Sequence, residues 1–393
     1  MTKSLRKSLF TIAILTASAG TVAVAAGLNP FAAKSARPAT QPVAVVPSFD
    51  QPKPAAPNGH RNVDIVFAVD TTGSMTQLIE GAKATVWSIA KHTQKMAPNA
   101  KIRIGLVAYR DIGEAYVTKT FQLSDDLDAA FAELSAYSAM GGGDVPENVN
   151  KALDEAINHM RWDDNAAKMV FLVGDAPGAE RGDAPVLSTL TAQANAKHIT
   201  INAIRCGDDA ATASEFKQLA MAAGGEFSSI AQSGGVQQIA TPYDAKLAEL
   251  ADSIDATNVY YGGADGQAAA EGKKAINAAA PAAARADRAA YNAGTGGGRG
   301  TYGDSDLVGG YAQGAIKLDA LEADKLPVEL RGKGKAEQAA WITAKAETRR
   351  KLEAQLLELQ KQREVYIRDN AKPADEGFDA KVKGAVEKSL SAH

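Results

Sequence analysis

An apolar run without alternation, five or six residues long, is what a strand buried on both faces of a sheet requires. This chain carries two such runs, residues 64–69 (DIVFAV) and 169–173 (MVFLV). Residues 102–109 (IRIGLVAY) and 199–204 (ITINAI) read as strands of the same kind, with shorter ones at 116–121 and 226–229. Helical stretches fall between them, at 75–96, 127–136, 145–160, 214–223 and 244–254. Alternation of this sort predicts an α/β fold, a doubly wound and mostly parallel sheet. In that architecture the loops at the carboxyl ends of the central strands form the binding crevice. Functional residues are therefore expected just after the apolar runs.

Three oxygen-rich loops stand there. The first is Asp70-Thr71-Thr72-Gly73-Ser74-Met75, directly after DIVFAV. The second, Gly141-Gly142-Gly143-Asp144-Val145-Pro146-Glu147, opens a helix, and the third, Asp175-Ala176-Pro177, follows MVFLVG. Carboxylates and hydroxyls are hard ligands suited to Mg²⁺, Mn²⁺ or Ca²⁺. Alternation along an extended turn would aim Asp70, Thr72 and Ser74 the same way, and the glycines would let the second loop approach closely. Each motif alone has an ordinary alternative. Thr72 or Ser74 suits the N-cap of the helix beginning near Met75, and Asp144 with Glu147 suits a cap and a charged first turn. Their coincidence with Asp175 favours a metal site, with Thr71 and Glu147 outside the direct ligands.

These residues resemble the metal-ion-dependent adhesion site of von Willebrand factor A-type domains, whose pattern is D-x-S/T-x-S, then a threonine, then an aspartate. The match covers about residues 62–253. The resemblance implies a Rossmann-like domain with Asp70, Thr72, Ser74 and Asp175 as metal ligands. The family's threonine falls on Asp144, a departure that adds negative charge and reduces the need for a carboxylate from outside. The GGGD-x-PE and DAP loops are similar to those of exported bacterial members. The implied function is recognition, not catalysis: a divalent cation, Mg²⁺ foremost, binds a protein partner whose acidic side chain completes the metal shell. Two alternatives stay open. One is a metal-dependent hydrolase with Glu147 or Asp144 as base. The other is a structural envelope protein assembled through its C-terminal helices.

Other features narrow the class. A formal charge of −3 without a dense basic stripe gives no reason to expect nucleic acid. Cys206 is the single cysteine, so no intrachain disulfide or cysteine zinc cluster forms, and the five histidines are scattered. No G-x-S-x-G elbow occurs, and the glycines at 294–300 follow no strand and lack a phosphate-loop lysine. Arg181-Gly182-Asp183 spells an integrin-binding tripeptide, a string short enough to arise by chance.

At the start, Lys3, Arg6 and Lys7 precede an apolar stretch over 9–24, and Ala23-Val24-Ala25 suits a signal peptidase. Residues 1–26 are thus expected to be a signal peptide, which leaves a periplasmic or secreted protein without a stable membrane span; an uncleaved anchor is the alternative. Residues 27–61 read as a proline- and alanine-rich tether, 62–256 as the von Willebrand-type domain, and 257–306 as a low-complexity linker, with room for a short alanine-rich helix. Residues 307–393 recover apolar content and are expected to be helical. Within them a long helix over 336–369 places Leu352, Leu356, Leu359 and Tyr366 on one face, interrupted by Arg363. That face is expected to pack on its own neighbours, with oligomerisation as a coiled coil the alternative.

Overall fold

The computed structural model describes residues 62–98, 100–143, 146–236, 239–294, 303–370 and 377–391. The expected signal peptide, the tether and Asp144 lie outside the described residues.

Six strands form one sheet in the order β3-β2-β1-β4-β5-β6. They are β1 (Asn62–Asp70), β2 (Lys101–Tyr109), β3 (Thr118–Ser124), β4 (Ala166–Gly174), β5 (Ile199–Cys206) and β6 (Phe227–Ile230). All pairings are parallel except that of β3 with β2 at one edge. The expected doubly wound, mostly parallel sheet is therefore present. Strand order runs outward from β1 to β3 on one side and from β4 to β6 on the other. The switch point lies between β1 and β4, where such sheets place their ligands.

The two unalternating runs are central strands, and their side chains divide between two cores. Ile65, Phe67, Val69, Met169, Phe171 and Val173 face one side, where Leu78, Ile79 and Trp87 of α1 (Thr76–Met96) cover them. Val66, Ala68, Val170 and Leu172 face the other, against α3 (Val149–Asp154), α4 (Leu187–Ala196) and α5 (Ala210–Ala222). Cys206 is fully buried at the end of β5 and its thiol is pushed up by burial, in keeping with its place after an apolar run.

Several boundaries differ from expectation. The helix expected over 145–160 is α3, which starts at Val149 and gives way to a π-helical turn over Glu155–His159. Its cap is Asn148, whose side chain accepts from the Lys151 amide at 3.1 Å. Glu147 is not the cap of this helix but is engaged in a bridge with Gly178. The edge strand β3 lies two to three residues beyond the expected 116–121, since Tyr116 leaves the ladder to bond Thr71. α5 starts at Ala210 rather than 214, where Asp209 accepts from the Thr212 amide at 2.7 Å.

The largest difference lies in residues 257–306, expected to be a linker with room for a short alanine-rich helix. Most of this segment is two helices, α7 (Ala264–Ala279) and α8 (Ala282–Gly294). Ala284, Ala286, Ala289 and Ala290 of α8 are buried, so its alanines serve close helix packing. Asp287 and Arg288, also buried, are paired across helices. Arg288 donates to Asp128 of α2 (Leu127–Ala136) at 2.6 Å and to Asp255 of α6 (Asp244–Asp255) at 2.8 Å.

After α9 (Leu307–Ala312) comes the long helix α10 (Lys335–Asn370). Leu356 is buried, with Leu352 and Leu359 partly so, against α6 and α8, and Tyr366 stands edge-on to Tyr243. Arg363 does not interrupt this face but belongs to it, donating to Asp244 at 2.8 Å and to Asp287 at 3.1 Å. Finally α11 (Phe378–Ser391) returns to the sheet, where Phe378 lies 6.2 Å from the Phe67 ring. Among the described residues no helix is long and apolar enough to cross a membrane.

Candidate metal site

Asp70 is the last residue of β1 and is fully buried. The chain leaves it in extended conformation through Thr72 (φ −71°, ψ 164°), then tightens into a 3-10 turn at Gly73–Met75 that feeds α1. That exit brings three oxygens together, as the alternation requires. Asp70 Oδ1 accepts from the Thr72 amide at 2.8 Å and from Thr72 Oγ1 at 2.7 Å. Thr72 Oγ1 lies 3.3 Å from Ser74 Oγ. No side chain caps the helix here, so neither Thr72 nor Ser74 plays the N-cap part that was their ordinary alternative.

The other oxygen of Asp70 is different. Oδ2 is buried and has no hydrogen-bond partner. Burial holds the Asp70 carboxyl well above the usual carboxylate range; the Thr72 bonds oppose this, while the charges of Glu147 and Asp175 add to it.

The second loop is sewn against the first. Gly73 donates to the Gly141 carbonyl at 3.2 Å and Met140 to the Thr71 carbonyl at 3.1 Å. Gly142 has φ +84°, and a Cβ there would lie 3.2 Å from the Thr72 Cβ. At Gly141 (φ +80°) a Cβ would overlap the Glu114 carboxylate, which accepts from the Gly142 amide at 2.6 Å. These two glycines are therefore needed for both conformation and space. Asp144, the expected ligand of this loop, lies outside the described residues.

The third loop closes the far side. In the sheet Val69 pairs with Val173, so Asp175 emerges beside the end of β1. A Cβ on Gly174 would stand 3.5 Å from the Asp70 Cβ, a measure of how close the two strand ends are. Asp175 Oδ2 accepts from Gln232 Nε2 at 2.6 Å, and the same amide donates to the Ser74 carbonyl at 3.2 Å. Asp70, Thr72, Ser74 and Asp175 thus converge at one strand-end crevice, with Glu147 buried nearby.

Three supporting residues escaped the sequence reading. Arg110, just past β2, donates to the Thr71 carbonyl at 3.1 Å and the Ser138 carbonyl at 2.9 Å, fixing the first and second loops together. Glu114 and Gln232 are the other two. All three sit in loops at the carboxyl ends of parallel strands or just after, a signal that extends beyond the apolar runs. The Arg181-Gly182-Asp183 tripeptide is occupied within the chain. Arg181 pairs with Asp111 and donates to the Pro146 carbonyl at 3.1 Å, and Asp183 accepts from Asn148 at 2.9 Å.

Fold and site together define a class. Residues 64–242 match the family model described as von Willebrand factor A domain, so the chain carries a domain of this kind. Among curated proteins it is similar to the alpha-protein kinase vwkA of Dictyostelium discoideum, 33% identical over 116 residues that cover 29% of this chain and 18% of that one. It is also similar to von Willebrand factor A domain-containing protein 7 of Rattus norvegicus, 36% identical over 93 residues, 24% of this chain and 10% of that one. The chain thus spans less than a fifth of the length of either relative. A solved structure of the SpRpn10 VWA domain aligns at 15% identity and a TM-score of 0.34, covering 44% of this chain and 88% of that one.

Proposed function

We propose that this chain binds a divalent cation at the strand-end crevice and uses it to hold an acidic side chain of a protein partner. Metal-dependent protein recognition is common among von Willebrand factor A domains. The observation that carries the reading is the Asp70 Oδ2 atom, buried without a hydrogen-bond partner beside two hydroxyls. An ionised oxygen left so costs several kcal/mol. A cation would remove that cost.

In this reading Asp70, Thr72 and Ser74 hold the ion from the first loop, Asp175 from the third and Asp144 from the second. Oxygen donors alone suit Mg²⁺ first, with Mn²⁺ or Ca²⁺ as alternatives. Water or a partner carboxylate takes the positions that remain. The activity is recognition without turnover. A cation that binds only the folded chain raises its stability by mass action, about 2.7 kcal/mol at a hundred times its dissociation constant. Millimolar Mg²⁺ should therefore raise the melting temperature by roughly 5 °C relative to EDTA. An unchanged melting temperature would contradict the reading.

The amino-terminal residues 1–26 support export, and with it a place in the periplasm or outside the cell. Mature protein recovered from a cell envelope should begin at Ala26 or Gly27; an intact Met1 would point to an anchor.

A further inference from the structure

Gln232 sits in a turn closed by the Gly234 amide donating to the Ala231 carbonyl at 2.8 Å. The turn follows β6, far in sequence from both loops that Gln232 touches. Its single amide nitrogen reaches Asp175 Oδ2 at 2.6 Å and the Ser74 carbonyl at 3.2 Å. Two residues on separate loops, each offered above as a ligand, are therefore held by one side chain. The seat of Gln232 is itself shaped for it. Gly207, at φ +75°, stands where a Cβ would lie 2.3 Å from Gln232 Oε1. The turn is also fixed from behind, because the Phe378 amide of α11 donates to the Gly234 carbonyl at 2.8 Å.

We infer that Gln232 is a positioning residue for the cation site, setting the orientation of Asp175 and its spacing from Ser74. This rests on the metal-binding reading. A neutral amide suits the task. It engages one carboxylate oxygen without cancelling the charge that a cation needs, as a lysine at the same place would. Partners that orient a metal ligand in this way typically account for ten- to a hundredfold in affinity. An exposed turn residue contributes little to stability, so the two effects separate cleanly.

The test uses the full mature chain, with Mg²⁺ alone as the probe. In Gln232→Leu, Mg²⁺ should bind at least tenfold more weakly than in wild type, while the melting temperature in EDTA stays within about 2 °C. Gly207→Ala, which pushes the Gln232 side chain aside from below, should weaken Mg²⁺ in the same direction. Undiminished affinity in Gln232→Leu, with wild type binding Mg²⁺, overturns the role of Gln232 and leaves the metal reading standing. A melting temperature in EDTA that falls along with the affinity also overturns it, by showing a structural part only. Absence of Mg²⁺ binding by wild type overturns both.

Discussion

Asp70 has two oxygens in unlike surroundings, one accepting two hydrogen bonds from Thr72 and the other buried without a partner. The spacing of Asp70, Thr72 and Ser74 was legible in the sequence because an extended exit from a strand has a period of two. Gln232 was not, since a lone glutamine in a polar turn carries no pattern of its own. The same holds for Arg363, which reads as a break in an apolar face and is a buried ion-pair member. At this scale the charges behind the helices make a prediction. Burial alone would raise the Asp287 carboxyl, but Lys91 and Arg363 more than offset it, with Lys383 adding to them, and hold it below the ordinary range. A depressed carboxyl contributes stability above its unfolded pKa and loses it as pH falls through the folded value. Asp287→Asn should therefore be less stable than wild type at neutral pH, and the gap should narrow below about pH 4. Urea midpoints measured across that range check it; a gap that does not vary with pH contradicts it.

Among the elements, the central strands and α1 were readable, because burial on two faces and strong helical periodicity leave little choice of residue. α4 and α8 were not. The buried positions of α4 are Leu190, Thr191 and Ala194, and those of α8 are four alanines with Asp287 and Arg288, so neither helix shows a clear apolar pattern. The start of α3 was misread because Asp144 and Glu147 look like a cap, whereas Glu147 bridges Gly178 and Asn148 caps the helix. α11 was readable only as helix, not as part of the sheet's covering layer. Phe378 is 2% exposed and tilted against Phe67 with Val382 and Val386 beside it. Phe378→Ala should cost about 3–5 kcal/mol, read from chemical denaturation of the full chain. A loss below about 1 kcal/mol would mean that α11 is not part of this core.

Across the whole molecule, the von Willebrand factor A domain was legible because three short motifs fall in order after three apolar strands. The C-terminal region's attachment was not, since it depends on pairs distant in sequence. Arg349 reaches Asp306 and Thr257, Arg363 reaches Asp244, and Arg288 reaches Asp128. Those pairings place α8 and α10 on the helices of the domain. The proposed function requires that the crevice at the ends of β1 and β4 take a cation. Calorimetric titration of Mg²⁺ into the mature chain and into Asp70→Ala tests this most directly. One ion per wild-type chain is expected, with affinity lost by orders of magnitude in the variant, because a charged ligand is gone and the cation is left underneutralised. Equal binding by the two proteins, or none by wild type, would contradict it.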